Sequence, residues 1–109
     1  MKTCKIIFFA PESCKEKVKQ AMFAAGAGHI GAYDCCSFES QGVGQFRPLE
    51  GSNPFIGQVG MIQTVAEYRV EMICVHPLVP QVIDALKLAH DYEEPAFEVI
   101  ELLSFEERK

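Results

Sequence analysis

The sequence predicts an α+β domain of ferredoxin-like topology, with one four-stranded antiparallel sheet and two helices on one of its faces. Strand and helix patterns alternate as β-α-β and then β-α-β again, which is the order of a split βαβ sandwich. The 109 residues have the usual length of a single domain, and a glycine-rich hairpin excursion at residues 40–65 separates the two units. Right-handed crossovers place both helices on the same face.

The first unit begins with an apolar run that is rich in Ile and Phe. This run, Thr3 to Ala10, predicts a strand that ends at Pro11. Ser13 and Glu16 have capping-box spacing, so we expect a helix to begin there. Small and apolar residues recur at helical spacing as far as Ala25, which predicts one helix face that packs on the sheet.

Glycines then end the helix in a pattern that matches a dinucleotide-binding fingerprint. Residues 26–31 read GAGHIG, which fits G-x-G-x-x-G. That fingerprint has to follow a strand and open a helix, so that the helix N-terminus can bind the pyrophosphate. Here the glycines follow a helix and lead into the second predicted strand, Tyr33 to Glu39. The motif therefore predicts a structural turn.

The second unit repeats the pattern. A strand is predicted over Val65 to Val75, and Pro77 suits the first turn of the helix that follows it. Apolar residues recur at helical spacing from Val79 to Ala89. Ala96 to Leu103 predicts the last strand, and Ser104 to Lys109 is a charged tail.

Both faces of the predicted sheet carry apolar side chains. Ile7, Phe9, Ile73 and Ile100 all fall on the face opposite the helices, because neighbouring strand residues point to opposite sides. An antiparallel sheet with one wet face should instead alternate apolar and polar residues. Either other copies of the chain or the excursion must cover this second face, and the pattern favours a homo-oligomer.

Composition excludes several classes of function. The net charge of −5 and the absence of a basic run argue against nucleic-acid binding. No apolar segment approaches the roughly 18 residues of a membrane span. The N-terminal apolar run from Ile6 to Ala10 ends at Pro11 and is too short for a signal-peptide core, so we expect a cytoplasmic location. The cysteines are odd in number and lack framework spacing, and in a reducing compartment we expect most of them to be small buried apolar residues. They are Cys4, Cys14, Cys35, Cys36 and Cys74.

Polar residues gather in the two loops that follow the helices. The candidate ligand-binding residues are His29, Tyr33, Ser37, Tyr92 and Glu94, and the candidate metal ligands are His90 and Glu93. Imidazole with a carboxylate suits a divalent metal, the one cofactor the sequence suggests, although a histidine near a helix C-terminus also favours the helix dipole. No nucleophile elbow, zinc-protease or phosphate-loop motif is present, so no catalytic residue is predicted.

Four stretches resemble the CutA-like domain that is inserted in YqfO-type, Nif-three-like proteins. They keep the family's order over nearly the whole chain, at residues 26–38, 44–48, 51–57 and 90–97. The resemblance implies a CutA/PII-like ferredoxin fold that trimerises with its sheets packed inward. It also implies functions in divalent-metal tolerance, as in CutA relatives, or in effector binding between subunits, as in PII relatives.

The chain departs from that family in two respects. The dimetal site of the large members lies in flanking domains, outside these residues, so its ligands are not carried over. The last motif reads His-Asp-Tyr-Glu-Glu-Pro, with Asp91 where the family often has proline.

The sequence therefore predicts a non-enzymatic homotrimer whose inter-subunit clefts bind a small ligand or a divalent metal ion. One alternative is an interaction module that docks on another protein through Phe46 and Phe55 of the excursion. The weakest alternative is a metal-assisted hydrolase that uses Glu93 or Glu94.

Overall fold

The computed structural model describes residues 2–105. In chain order its elements are β1 (Thr3–Ala10), α1 (Glu12–Ala24), β2 (Phe38–Phe46), β3 (Gln63–Val75), a 3-10 turn (His76–Leu78), α2 (Val79–Ala89) and β4 (Phe97–Leu102). Within this range the strands form one antiparallel sheet in the order β2-β3-β1-β4. The predicted α+β ferredoxin-like fold is confirmed. Residues 106–109 of the predicted charged tail lie outside the described residues.

The hydrophobic core lies between the sheet and the two helices. Alternate residues of β1 point toward the helices, and Cys14, Val18 and Met22 repeat at four-residue spacing on the facing side of α1. Val82 and Leu86 provide the same stripe on α2. The sheet contributes Cys4, Ile6, Phe8, Ala10, Val70, Met72 and Cys74.

The helix-free face of the sheet is a mixture of apolar and charged groups. Ile7 is buried, whereas Ile100 on the edge strand β4 is 46% exposed. The Lys5 ammonium lies 3.2 Å from the Glu71 carboxylate, and Arg69 also pairs with Glu71. Ionic groups and exposed aliphatic side chains thus share this face.

The second strand begins later than the sequence predicts. It runs over Phe38–Phe46, not Tyr33 to Glu39, because its bounds are set by pairing with β3 along its full length. Residues 40–46 and 63–65, assigned to the excursion from the sequence, therefore belong to β2 and β3. The connection between them is residues 47–62.

The first helix begins without the predicted capping box. It starts at Glu12, and Pro11 occupies the N-cap position, where no side chain caps the helix. Ser13 and Glu16 consequently lie inside the helix. The Pro11 carbonyl accepts the first helical hydrogen bonds.

The helix ends and starts agree with the glycine and proline patterns. Gly26 and Gly28 have φ values of +116° and +85°, so the predicted structural turn is confirmed. Pro77 lies in the 3-10 turn before α2, and Pro80 lies in the first turn of α2. No helix among the described residues is long and apolar enough to cross a membrane.

Candidate functional site

The two loops that follow the helices lie at opposite ends of the sheet. Residues 25–37 are anchored near the end of β3, where the Gly28 N–H donates to the Ile73 carbonyl at 2.7 Å. Residues 90–96 are anchored at Phe9, near the end of β1. The two anchors are separated by about four residues along β1, or roughly 13 Å. A single chain therefore does not bring the two groups of predicted residues together.

The predicted residues of the first loop face solvent. His29, Tyr33 and Ser37 are exposed, Tyr33 to 75%. Their loop is shaped by backbone contacts: Ile30 and Tyr33 exchange hydrogen bonds of 2.9 Å, and the Cys36 N–H donates to the Gly28 carbonyl.

His90 is buried and both of its ring nitrogens have partners. Nε2 lies 2.7 Å from the Phe9 carbonyl, and the Tyr92 N–H donates to Nδ1 at 3.0 Å. Since Nδ1 accepts, Nε2 carries the proton and donates to Phe9. His90 thus fastens the second loop to β1, and a metal ion could bind it only by displacing one of these contacts.

Tyr92 joins the second loop to β3. Its hydroxyl donates to Glu67 Oε2 at 2.8 Å, and its ring centroid lies 6.3 Å from that of Phe46. Burial is the main cause that raises the pKa of Tyr92, and the hydrogen bond to Glu67 raises it further, so the phenol stays protonated. The Glu67 carboxylate lies against Gly44, where a Cβ atom would overlap it.

Glu93 ties the second loop to the connection between β2 and β3. Its Oε1 accepts a hydrogen bond of 2.8 Å from the Asn53 N–H. Glu94 is exposed beside it. The tether holds the two segments on opposite sides of a shared opening.

That opening is a cleft of about 650 Å³ between the connection and the second loop. Four aromatic rings line it: Phe9 of β1, Phe46 at the end of β2, Phe55 of the connection and Tyr92 of the second loop. The cleft thus has the size and the largely apolar lining of small-molecule sites.

Carboxylates outnumber cations in the lining. Glu50, Glu67, Glu93 and Glu94 line the cleft with a single guanidinium, that of Arg47. Across residues 2–105, no three His, Cys, Asp or Glu side chains converge in a way that could hold a metal ion.

One side of this cleft consists of residues that the sequence predicted as ligand-binding or metal-binding. Tyr92, Glu93 and Glu94 line it, and His90 fastens their loop to β1 through its contact with the Phe9 carbonyl. Phe9 and Glu67 were missed as lining residues. The glycines of β2 were an available signal, because glycine inside a strand often marks the close approach of another group.

Comparisons with known proteins relate the chain to one segment of a longer protein. It is 42% identical over 98 residues to a Halalkalibacterium halodurans protein named "GTP cyclohydrolase 1 type 2 homolog". The match covers 90% of this chain and 26% of that protein, so the chain spans about a quarter of the curated relative. No protein-family model matches.

Solved structures agree with this relationship. A Bacillus cereus protein related to NIF3 superposes with a TM-score of 0.80 and 40% identity, over 93% of this chain and 26% of that one. The CutA protein of Archaeoglobus fulgidus superposes at 0.67 with 16% identity, over 94% of this chain and 86% of its own. The GlnK protein of Bacillus subtilis gives 0.61 and 14%, over 94% and 86%. The chain is homologous to a segment of NIF3-related proteins and has the CutA/PII-like fold, so the predicted resemblance is confirmed.

Proposed function

We propose that this homologue of a NIF3-related segment is a non-enzymatic, homo-oligomeric binding and regulatory domain, a trimer, whose cleft takes a small ligand. The cleft itself carries the proposal. It is built by Tyr92 and Glu93, which tie the second loop to β3 and to the connection, and it is lined by aromatic rings. A largely apolar opening with a few polar groups is the usual form of a ligand site.

The oligomeric part of the proposal rests on the helix-free face. Ile100 is 46% exposed there and Phe38 is 69% exposed. A second copy would cover this apolar area, which is the arrangement that the two-faced strand pattern favours. His29, Tyr33 and Ser37 can join the cleft only from a neighbouring copy, because they lie at the other end of their own sheet. The proposal therefore assigns them to an inter-subunit site.

A divalent metal is the second form of the proposal. His90 and Glu93 would be its first ligands, and Glu94 is adjacent to them. Binding would break the hydrogen bonds of His90 with Phe9 or Tyr92. Metal binding is therefore expected to loosen the second loop, which distinguishes it from a ligand that fills the cleft.

Two titrations test the proposal. A panel of metabolites is screened by thermal shift with the wild type and with Phe55→Ser, which replaces an exposed aromatic side chain of the cleft by a small one. A ligand of the cleft should raise the Tm of the wild type more than the Tm of Phe55→Ser. Leu88→Ser, at an exposed position of α2, is the matched control. Calorimetry with zinc and manganese on wild type and His90→Ala tests the metal. No binding in either experiment would contradict the proposal.

Docking on another protein is the second candidate function. The connection exposes apolar side chains that a partner could bury, whereas Phe46 is half-buried against Tyr92. The exposed residues are Leu49, Phe55, Val59, Met61 and Ile62. A pull-down distinguishes this function, because docking requires a stoichiometric partner. The removal of Met61 and Ile62 by Met61→Ser and Ile62→Ser should then release the partner.

A metal-assisted hydrolase that uses Glu93 or Glu94 is the weakest candidate. Its support is the name of the longer relatives, of which this chain spans about a quarter. A phosphatase and phosphodiesterase screen with added manganese should give no turnover. The cysteines of the described range are free thiols, and the proposal assigns the protein to the cytoplasm, where thiols stay reduced.

A further inference from the structure

The chemistry of the cleft narrows the kind of ligand. Resting on the ligand role proposed above, we infer that the cleft takes a small organic cation, with an ammonium or guanidinium group on an apolar body. Three features of the lining carry this inference: its aromatic rings, its excess of carboxylates and its size.

The aromatic rings provide faces for a cation. Phe46 and Tyr92 form a corner, with ring planes inclined by 51° and centroids 6.3 Å apart. Phe9 and Phe55 line the same cleft. The face of an aromatic ring carries partial negative charge and attracts ammonium and guanidinium groups, more strongly where water is excluded. Burial and the hydrogen bond to Glu67 both raise the pKa of Tyr92, so the phenol keeps its proton and the ring stays neutral.

The carboxylates set the sign of the charge. The lining has four of them against the one guanidinium of Arg47. Glu67 and Glu93 each use one oxygen in a hydrogen bond, to the Tyr92 hydroxyl and the Asn53 N–H. A carboxylate has further lone pairs for a cationic donor. A phosphate or carboxylate ligand would instead meet repulsion, in a chain whose net charge is already −5.

The size of the cleft favours an organic body over a bare ion. A volume of about 650 Å³ far exceeds that of a metal ion and its ligands, and it falls in the range of small-molecule pockets. The mostly apolar walls would bury a hydrocarbon portion while the rim carboxylates pair with the charged end. An ion alone would leave the rings without a partner.

The test uses three probes that share one body and differ in charge: 4-phenylbutylamine, 4-phenylbutanol and 4-phenylbutyrate. Amide shifts of the full chain are followed by NMR at pH 7. The amine should shift residues of the second loop and of the connection, and should bind about tenfold more tightly than the alcohol. The butyrate should bind most weakly, and added salt should weaken the amine most.

Isosteric variants locate the charge effect. Glu50→Gln with Glu94→Gln removes two exposed lining carboxylates and should weaken the amine several-fold while leaving the alcohol unchanged. Glu98→Gln, at an exposed position of β4 outside the lining, is the control and should change neither.

The outcomes separate this inference from the proposed function. If the alcohol or the butyrate binds in the cleft as tightly as the amine, the cationic class is wrong and the cleft remains a ligand site. If none of the probes shifts a cleft residue, or only residues outside it shift, the inference is overturned. The proposed function fails on a separate result, the absence of any ligand in the metabolite and metal titrations.

Discussion

The two loops that follow the helices occupy equivalent places in the two β-α-β units, yet they are held in different ways. The first, residues 25–37, is shaped by backbone hydrogen bonds, and its polar side chains are exposed. The second, residues 90–96, is fastened by side chains: His90 to β1, Tyr92 to β3 and Glu93 to the connection. Two loops at equivalent places in the fold thus differ: the polar side chains of the first are exposed to solvent, and those of the second form one wall of a cleft.

Replacement of the two loop histidines, His90 and His29, should give the largest difference in the free energy of unfolding. His90→Ala leaves the Phe9 carbonyl and the Tyr92 N–H without their partner, and should lower the free energy of unfolding by about 2–4 kcal/mol. His29→Ala, at an exposed position of the first loop, should change it by less than roughly 0.5 kcal/mol. Urea unfolding at one protein concentration measures both. Equal effects would erase the difference between the loops.

The tyrosine pair isolates a single hydroxyl. Tyr92→Phe removes the hydrogen bond to Glu67 and should cost about 1 kcal/mol. Tyr33→Phe removes a hydroxyl from a side chain that is 75% exposed and should be neutral. Thermal unfolding of both variants provides the measurement. A neutral Tyr92→Phe would mean that the hydroxyl does not hold the second loop.

The glycine pair sharpens the same contact from the other side. Space is open around Gly42, so Gly42→Ala should stabilise the fold by about 0.4–1 kcal/mol through the unfolded chain. At Gly44 the new methyl group overlaps the Glu67 carboxylate and displaces it from Tyr92. Gly44→Ala should therefore give no gain. In a Tyr92→Phe background the hydrogen bond to Glu67 is already absent, so Gly44→Ala should affect the free energy of unfolding less unfavourably than in the wild type. An equal effect in the two backgrounds would contradict the coupling between Gly44 and Tyr92.

The smallest effect concerns Glu39, which follows the first loop on β2. Its carboxylate pairs with Lys15 at 2.5 Å and with Lys19 at 3.1 Å, and the bond to Lys15 holds the pKa of Glu39 below its ordinary value of 4.5. A lowered folded pKa stabilises the fold above the unfolded value, and that stabilisation is lost as the pH falls through the folded pKa. The advantage of wild type over Glu39→Gln, about 1 kcal/mol or less, should therefore shrink as the pH falls below 4.5. Urea unfolding between pH 3 and 7 measures it, and a constant difference would contradict the assignment.

The elements that the sequence predicted well are those whose pattern faces the core. The apolar run of β1 and the helical stripe from Val79 to Ala89 both supply buried side chains of the core, and both elements lie where the sequence predicted them. The second strand was misplaced because β2 is an edge strand with few apolar residues. Its bounds come from its pairing with β3, a long-range constraint that leaves little local trace.

The candidate site divides along the same line. Tyr92, Glu93 and Glu94 stood out as a polar group after a helix, and they do line the cleft. Their partners Glu67 and Asn53 lie 25 and 40 residues away in sequence, and no spacing rule links them to the second loop. Long-range contacts of this kind appear only once the chain is folded.

Sedimentation velocity at micromolar concentration tests the proposed assembly most directly. The wild type should sediment as one species of three times the 12.1 kDa chain mass. Ile100→Lys, which places a charge on the helix-free face, should shift it toward single chains, whereas Leu88→Lys, on the exposed side of α2, should not. A wild type that sediments as a 12.1 kDa monomer would contradict the assembly and the inter-subunit part of the site with it.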